Sequence, residues 1–313
     1  MYEGKVNSKL TKLEFSDGNV AEAELPVIVS ASRRCDIPAF GAHKFLDDLK
    51  TGYTLVRNPY NGKRSVISLS ETRLFVFWSK NPRPFFHVLE WLNRCQTNYY
   101  FQFTLNDYER EGFEKGLPPL GARVETFKSL SKTIGKEKII WRFDPLILTP
   151  QLSPELLIAR IDALAHELSD YTEQLVFSFV DIAEYVKISR SLFRGGFQFI
   201  DFDQGLMAEM ASAIAAIGKQ YQLCVSTCCE AIDLSGMDIS HNRCIDDRLI
   251  ARLFPDDNSL MDYVGRGELL FGGNSNYRKI KDKSQRKNCG CIKAKDIGHY
   301  RECGFGCVYC YAK

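Results

Sequence analysis

The sequence lacks several features that sort proteins into classes. No stretch of its 313 residues approaches the roughly 18 unbroken apolar residues of a membrane span, and the opening MYEGKVNSKLTK has no apolar signal-peptide core. The expectation is a soluble, cytoplasmic protein with no membrane partner. An excess of one charge is also missing: 41 Lys and Arg against 39 Asp and Glu leave +2, so the bulk field neither selects nor excludes nucleic acid. No internal repeat or low-complexity segment occurs. No G-x-G-x-x-G or Walker-type loop follows the first apolar run, which removes the usual reason to choose a dinucleotide-binding layout. What remains, 45% hydrophobic and 26% charged, is an ordinary globular chain long enough for one large domain, or one domain with an appendage.

Short apolar runs at 27–31, 53–57, 74–78, 99–105, 138–143, 174–180 and 222–227 read as strands, several of them apolar on both faces as a covered parallel sheet requires. Helix-period segments lie between them. Ser153-Pro154 sets an N-cap followed by proline at the first helical position, and Leu157, Ile161, Leu164 and Leu168 keep one stripe. Asp203 caps a second helix and Pro84 opens a third. Asn61-Gly62, between two strand-like runs, signals a hairpin. The alternation predicts an α/β fold, a complete or partial (β/α) TIM-like barrel with right-handed crossovers. Three regions follow: an N-terminal arm or strand over 1–24, the barrel over 25–232, and a Cys-rich, metal-ordered C-terminal segment over 233–313 packed on it.

Cysteine is the anomaly. Of eleven, Cys35, Cys95 and Cys224 stand alone, and the other eight crowd the chain from Cys228 onward. Without a secretion signal a disulfide framework is a poor reading, and clustered thiols read as metal or redox ligands. Cys303, Cys307 and Cys310 form C-x3-C-x2-C with glycines between the first two thiols. Three thiolates in one tight loop each hold one iron of a [4Fe–4S] cube, and the glycines let the backbone wrap it. The fourth iron is then open to a small molecule or a remote ligand. Cys228, Cys244, Cys289 and Cys291, with Cys229 as an alternate and His241 as a stand-in, make up the ligand count of an auxiliary cluster. The cofactor expectation is therefore one [4Fe–4S] cluster, or two. Zinc competes, since Cys289 and Cys291 with two terminal thiols also make a four-thiolate site.

Polar residues gather at the predicted strand ends. Arg33, Arg34 and Asp36 follow the first, Arg57 and Asn58 the second, Lys80 and Asn81 the third, Arg142 and Asp144 a later one, and Asp181 another. On a barrel these converge on one mouth suited to a small polar or anionic ligand, because guanidinium forks match carboxylate or phosphate. Arg–Asp pairing that merely closes the barrel top is the equal alternative. The one basic run, from Arg278 and Lys279 through Lys281, Lys283, Arg286 and Lys287 to Lys293 and Lys295, offers phosphate contact or a solvated face.

The terminal CGFGCVYCYA resembles the loop of the radical SAM superfamily, in particular its spore photoproduct lyase-like members. The resemblance implies a site-differentiated cluster that binds S-adenosylmethionine and cleaves it reductively to a deoxyadenosyl radical, with an electron donor as partner. In that superfamily the loop usually follows the first barrel strand, whereas here it lies far along the chain, and no Gly-Gly-Glu follows the second strand. The whole chain also resembles a bacterial family catalogued only as a domain of unknown function, through SASRRCDIP at 30–38, VRNPYN at 56–61, WSKNP at 78–82, WRFDP at 141–145 and the terminal loop. Three functions fit: a radical SAM-like iron–sulfur enzyme, a two-cluster electron-transfer protein without SAM, and a zinc-stapled nucleic-acid-binding module.

Overall fold

The computed structural model describes residues 9–58, 61–180, 196–265 and 280–312. The chain opens with the antiparallel pair β1 (Lys9–Glu14) and β2 (Val20–Leu25), turns into β3 (Ile28–Ala31), and passes through α1 (Ile37–Phe40) and α2 (Ala42–Thr51). A hairpin follows, β4 (Tyr53–Arg57) against β5 (Arg64–Ser68), with Arg57 opposite Arg64 around the expected Asn-Gly turn. Then come β6 (Leu74–Ser79), α3 (Phe86–Arg94), β7 (Asn98–Thr104), α4 (Leu120–Ile134), β8 (Ile139–Leu146), α5 (Pro154–Leu168), β9 (Gln174–Phe179), α6 (Gln204–Gln220) and β10 (Cys224–Thr227). The remainder supplies β11 (Ser240–His241), α7 (Asp247–Leu253), α8 (Asn258–Val264) and β12 (Lys295–Asp296).

Two sheets result. A small one runs β1-β2-β5-β4. The large one has eight strands in the order β11-β10-β9-β8-β7-β6-β3-β12, with every neighbouring pair parallel. The fold is therefore mixed α/β, with a parallel sheet flanked by helices. Strand order follows chain order except that the last strand lies beside the first. Among the described residues no ladder joins β11 to β12, so the sheet is open between these two-residue edges.

Residues of alternate parity divide the sheet into two faces, as strand geometry demands. Val29, Phe75, Phe77, Phe101, Trp141, Leu175 and Phe177 pack in the layer with Phe45 of α2, Leu89 of α3, Phe127 of α4, Ile161 of α5 and Ile214 of α6. On the other face Ile28, Leu74, Val76, Tyr100, Ile140 and Val176 meet α7 and α8 together with Cys244 and Cys291. α8 is held beneath the strand starts by Asp257, which accepts from Arg73 Nε at 2.9 Å and Asn98 Nδ2 at 2.8 Å. The sequence-predicted caps form: Ser153 Oγ accepts from Leu156 N, and Asp203 Oδ1 from Leu206 N. No helix among the described residues is long and apolar enough to cross a membrane.

Candidate metal centre

Parallel strands put all their carboxyl ends on one side, and that side collects the chemistry here. The 105–119 loop after β7 is the platform. Trp141 Nε1 donates to Leu105 O at 3.0 Å, Arg123 Nη1 to Asn106 O at 2.9 Å, and Tyr108 OH to Pro145 O at 2.7 Å. Arg160 clamps Glu111 with two bonds of 2.8 Å. Onto this platform the terminal loop docks through its backbone: Gly116 N donates to Phe305 O at 3.0 Å and Val308 N to Phe113 O at 2.9 Å. Gly306 takes φ +66°, where a side chain would be strained, and Phe40 packs edge-on against Phe305 at 4.7 Å.

Cys303, Cys307 and Cys310 thus stand in one loop over the ends of β3, β6 and β7, near enough that Cys310 raises the pKa of both other thiols. Burial pushes the Cys307 thiol up to about 11, with Lys80 opposing. Beneath them lies a buried polar knot. Lys80 Nζ donates to Glu114 Oε1 at 2.7 Å and Tyr309 OH at 2.9 Å, Asn106 Nδ2 donates to the same hydroxyl at 2.9 Å, and Tyr309 OH donates to Glu114. Burial works to raise the Glu114 carboxyl, yet the charge and hydrogen bond of Lys80 hold it below its ordinary value. Tyr309 is one of the two residues between Cys307 and Cys310, so the knot grips the loop between its thiols.

The other thiols form a second group. Cys228 follows β10, Cys244 follows β11, and Cys289 and Cys291 precede β12. Cys228 Sγ lies 3.7 Å from Cys244 Sγ, Cys244 interacts with Cys291, Cys291 with Cys289, and Cys289 with Cys229. Cys244 is pushed up to about 11, its interaction with Cys228 lowering it while Cys291 and burial raise it. Arg142 Nη1 donates to Cys244 Sγ at 3.1 Å. His241 is exposed on β11, as are Cys95 and Cys224 elsewhere; Cys35 is half-buried at the end of β3. Among the described residues, no group of three or more His, Cys, Asp or Glu side chains is set to hold a single metal ion.

The expected mouth is assembled in part, and mostly paired within itself. Asp36 caps α1 through Ala39 N and accepts from Ser79 Oγ at 2.8 Å and Lys80 N at 2.7 Å; burial pushes it up to about 6 against those bonds. Arg142 grips Asp144, which also accepts from Ser178 Oγ. Burial works to raise Asp144, but the Arg142 charge and these bonds leave it below its usual range. Arg33 lies over Trp78 at 5.4 Å and Arg34 over Tyr300 at 5.5 Å. Asn81 Oδ1 accepts locally from Arg83 N. Arg57 and Asn58 are a correction: they end β4, which belongs to the small sheet, so they do not join the strand ends of the large one. Asp181, Arg278 and Lys279 lie outside the described residues, while Lys295 of the basic run is paired to Glu24.

Sequence reasoning passed over Glu114, Arg123, Tyr309 and Asp296. Asp296 ties β12 to β3, accepting from Ser30 Oγ at 2.9 Å, Ser32 Oγ at 3.0 Å and Arg33 N at 2.9 Å. The available signal for Glu114 was the length of its loop, since long structureless connections are uncommon unless used.

No curated protein matches the chain. A family model described as a domain of unknown function (DUF1848) matches residues 28–312, nearly the whole sequence, and the protein belongs to that family.

Proposed function

We propose that the protein is an iron–sulfur enzyme of radical SAM-like type, working at the carboxyl end of a sheet ordered as in a (β/α) barrel. One observation carries the reading: the C-x3-C-x2-C loop is docked by its own backbone on the 105–119 platform, over the strand ends, with Tyr309 anchored between two of its thiols. The donor set fits the group, since clustered thiolates suit an iron–sulfur cluster or zinc and not magnesium or calcium. Cys303, Cys307 and Cys310 would hold the cube, and S-adenosylmethionine would take the remaining iron. Such a cluster supplies one low-potential electron for reductive cleavage of the bound sulfonium.

The chain's own contribution is position and charge. The Lys80–Glu114–Tyr309 knot fixes the loop, while Arg33 and Arg34 line the same end as candidates for a polar or anionic ligand. The internal pairing of Lys80, Asp36, Arg142 and Asp144 favours a second reading, electron transfer without a substrate, because few charges there are left unengaged.

Anaerobically purified protein, assayed for iron, sulfide and zinc and examined by EPR after dithionite reduction, separates the two. A spectral shift on adding S-adenosylmethionine and formation of 5′-deoxyadenosine are expected. Iron and sulfide without a shift would favour electron transfer, and zinc without sulfide would end both readings.

A further inference from the structure

The second thiol group is drawn from three separate segments, at Cys228, Cys244 and Cys289–Cys291, which no single local motif joins. Cys228 N donates to Phe177 O at 2.8 Å, extending the ladder beyond β10, and Ile292 N donates to Ile245 O at 3.1 Å, pinning the 289–292 turn beside Cys244. Cys244 and Cys291 are buried on the face of the sheet that meets α7 and α8. Thiols packing there only as small hydrophobes would be unremarkable in an apolar pocket. This pocket is not apolar.

Two guanidinium groups face it. Arg142 is buried and donates to Cys244 Sγ and to Gln102 Oε1 at 3.0 Å, with Asp144 as its one carboxylate partner among the described residues. Arg33 Nη2 is buried with no hydrogen-bond partner among the described residues, and the closest ion pair of that side chain is a loose 3.9 Å to Asp282. Cys291, Cys244 and Cys289 all lie within electrostatic range of Arg33. Buried cations and an unspent donor beside neutral thiols are costly; beside thiolates they are matched.

We propose that Cys228, Cys244, Cys289 and Cys291 ligate a second iron–sulfur cluster, complete in protein ligands, whose charge is met by Arg33 and Arg142. This goes beyond the open cluster of the terminal loop and does not depend on it. Binding converts four thiols to thiolates with release of their protons. A [2Fe–2S] cluster so ligated is a net dianion in its oxidised form, and Arg33 and Arg142 offset that charge, Arg142 sharing its own with Asp144. It takes two thiolates on each iron, which suits the close approach of Cys228 Sγ and Cys244 Sγ at 3.7 Å, and does not require the four sulfurs to close around a single ion.

The test uses the full chain, purified without oxygen, in two variants compared with wild type by iron and sulfide analysis and far-UV circular dichroism. Cys228→Ala/Cys244→Ala is expected to lose about two irons and two sulfides per chain relative to wild type. Cys303→Ala/Cys307→Ala/Cys310→Ala is expected to keep about two of each and an EPR signal on reduction. Wild-type iron content in the first variant, no iron in a folded second variant, or zinc without sulfide at these thiols would overturn the proposal. If the terminal-loop reading alone is wrong, the second variant keeps all the wild-type iron while the first still loses its share. Should the first variant fail to fold, the iron and sulfide of the second decide the question.

Discussion

Gly116 offers a direct test of the docked terminal loop. A Cβ built on it would lie 2.7 Å from Phe305 O, 2.8 Å from its Cα and 2.9 Å from its carbonyl carbon, all backbone atoms that no rotamer change can move. Gly116→Ala should therefore push the loop away. Overpacking of this kind costs about 1–3 kcal/mol, and the 3.0 Å bond from Gly116 N to Phe305 O would be lost for about 1 kcal/mol more. Together, about 2–4 kcal/mol against docking is a roughly 30- to 700-fold shift toward the undocked loop. Hydrogen exchange of the Val308 amide, which donates to Phe113 O, reads that shift directly, and iron per chain reads its effect on ligation. Gly121→Ala is the control: its Cβ meets nothing within 4 Å, and in the first turn of α4 it should gain up to about 1 kcal/mol. A Gly116→Ala protein with wild-type protection at Val308 would refute the docking argument.

Other perturbations follow from the same contacts. Asp144→Asn leaves Arg142 buried without its carboxylate and should cost about 3–5 kcal/mol at neutral pH in urea unfolding. Because the folded carboxyl sits below the ordinary 3.8, its stabilising share is complete above 3.8 and is lost only as pH falls through the lower folded value. The gap between wild type and variant should stay flat down to that region and then close; a gap that closes between pH 7 and 5 would contradict the assigned direction. Ser153→Ala removes the cap on Leu156 N and should cost about 1 kcal/mol, with an unchanged midpoint as the contrary result. Gly298→Ala would drive a methyl into the Ser32 side chain and to 2.9 Å from Cys35 Sγ. It should loosen β12 from β3, raising exchange at Ile297 N, which donates to Ser30 O at 3.1 Å; unchanged exchange would mean that Ser32 yields.

The long strands were legible because their burial is two-sided. β6 and β8 are almost entirely buried, and such strands show as unbroken apolar runs whichever way each residue points. The same reading misplaced β4, whose burial alternates: Thr54 and Val56 are buried, Leu55 and Arg57 exposed. That alternation marks a strand covered on one face only, and it separates the small sheet from the large one. Two-residue strands left no trace. Lys295 and Asp296 have no apolar signature, and β12 exists because Asp296 finds donors on β3 and in the two residues that follow it. The cysteines were visible as residue types, and the sequence suggested a grouping of four, but Arg33 and Arg142 meet those thiols only through the pairing of strands distant in sequence. Sequence likewise shows charged residues at strand ends without showing that Lys80 is already taken by Glu114.

The adjacency of β3 and β12 also sets a schedule for synthesis. Asp296 reaches Ser30 across 266 positions of sequence, so one edge of β3 has no partner until nearly the whole described chain has been made. At translation rates of about 5–20 residues per second the delay is roughly 13–50 s, long compared with the collapse of the strands and helices in between. For that interval the nascent protein carries an unpaired parallel edge, the kind of surface that recruits other strands. The segment that finally covers it is flanked by Cys289 and Cys291 on one side and Cys303 on the other. Closing the edge and gathering the thiols are thus one late event in the life of the chain.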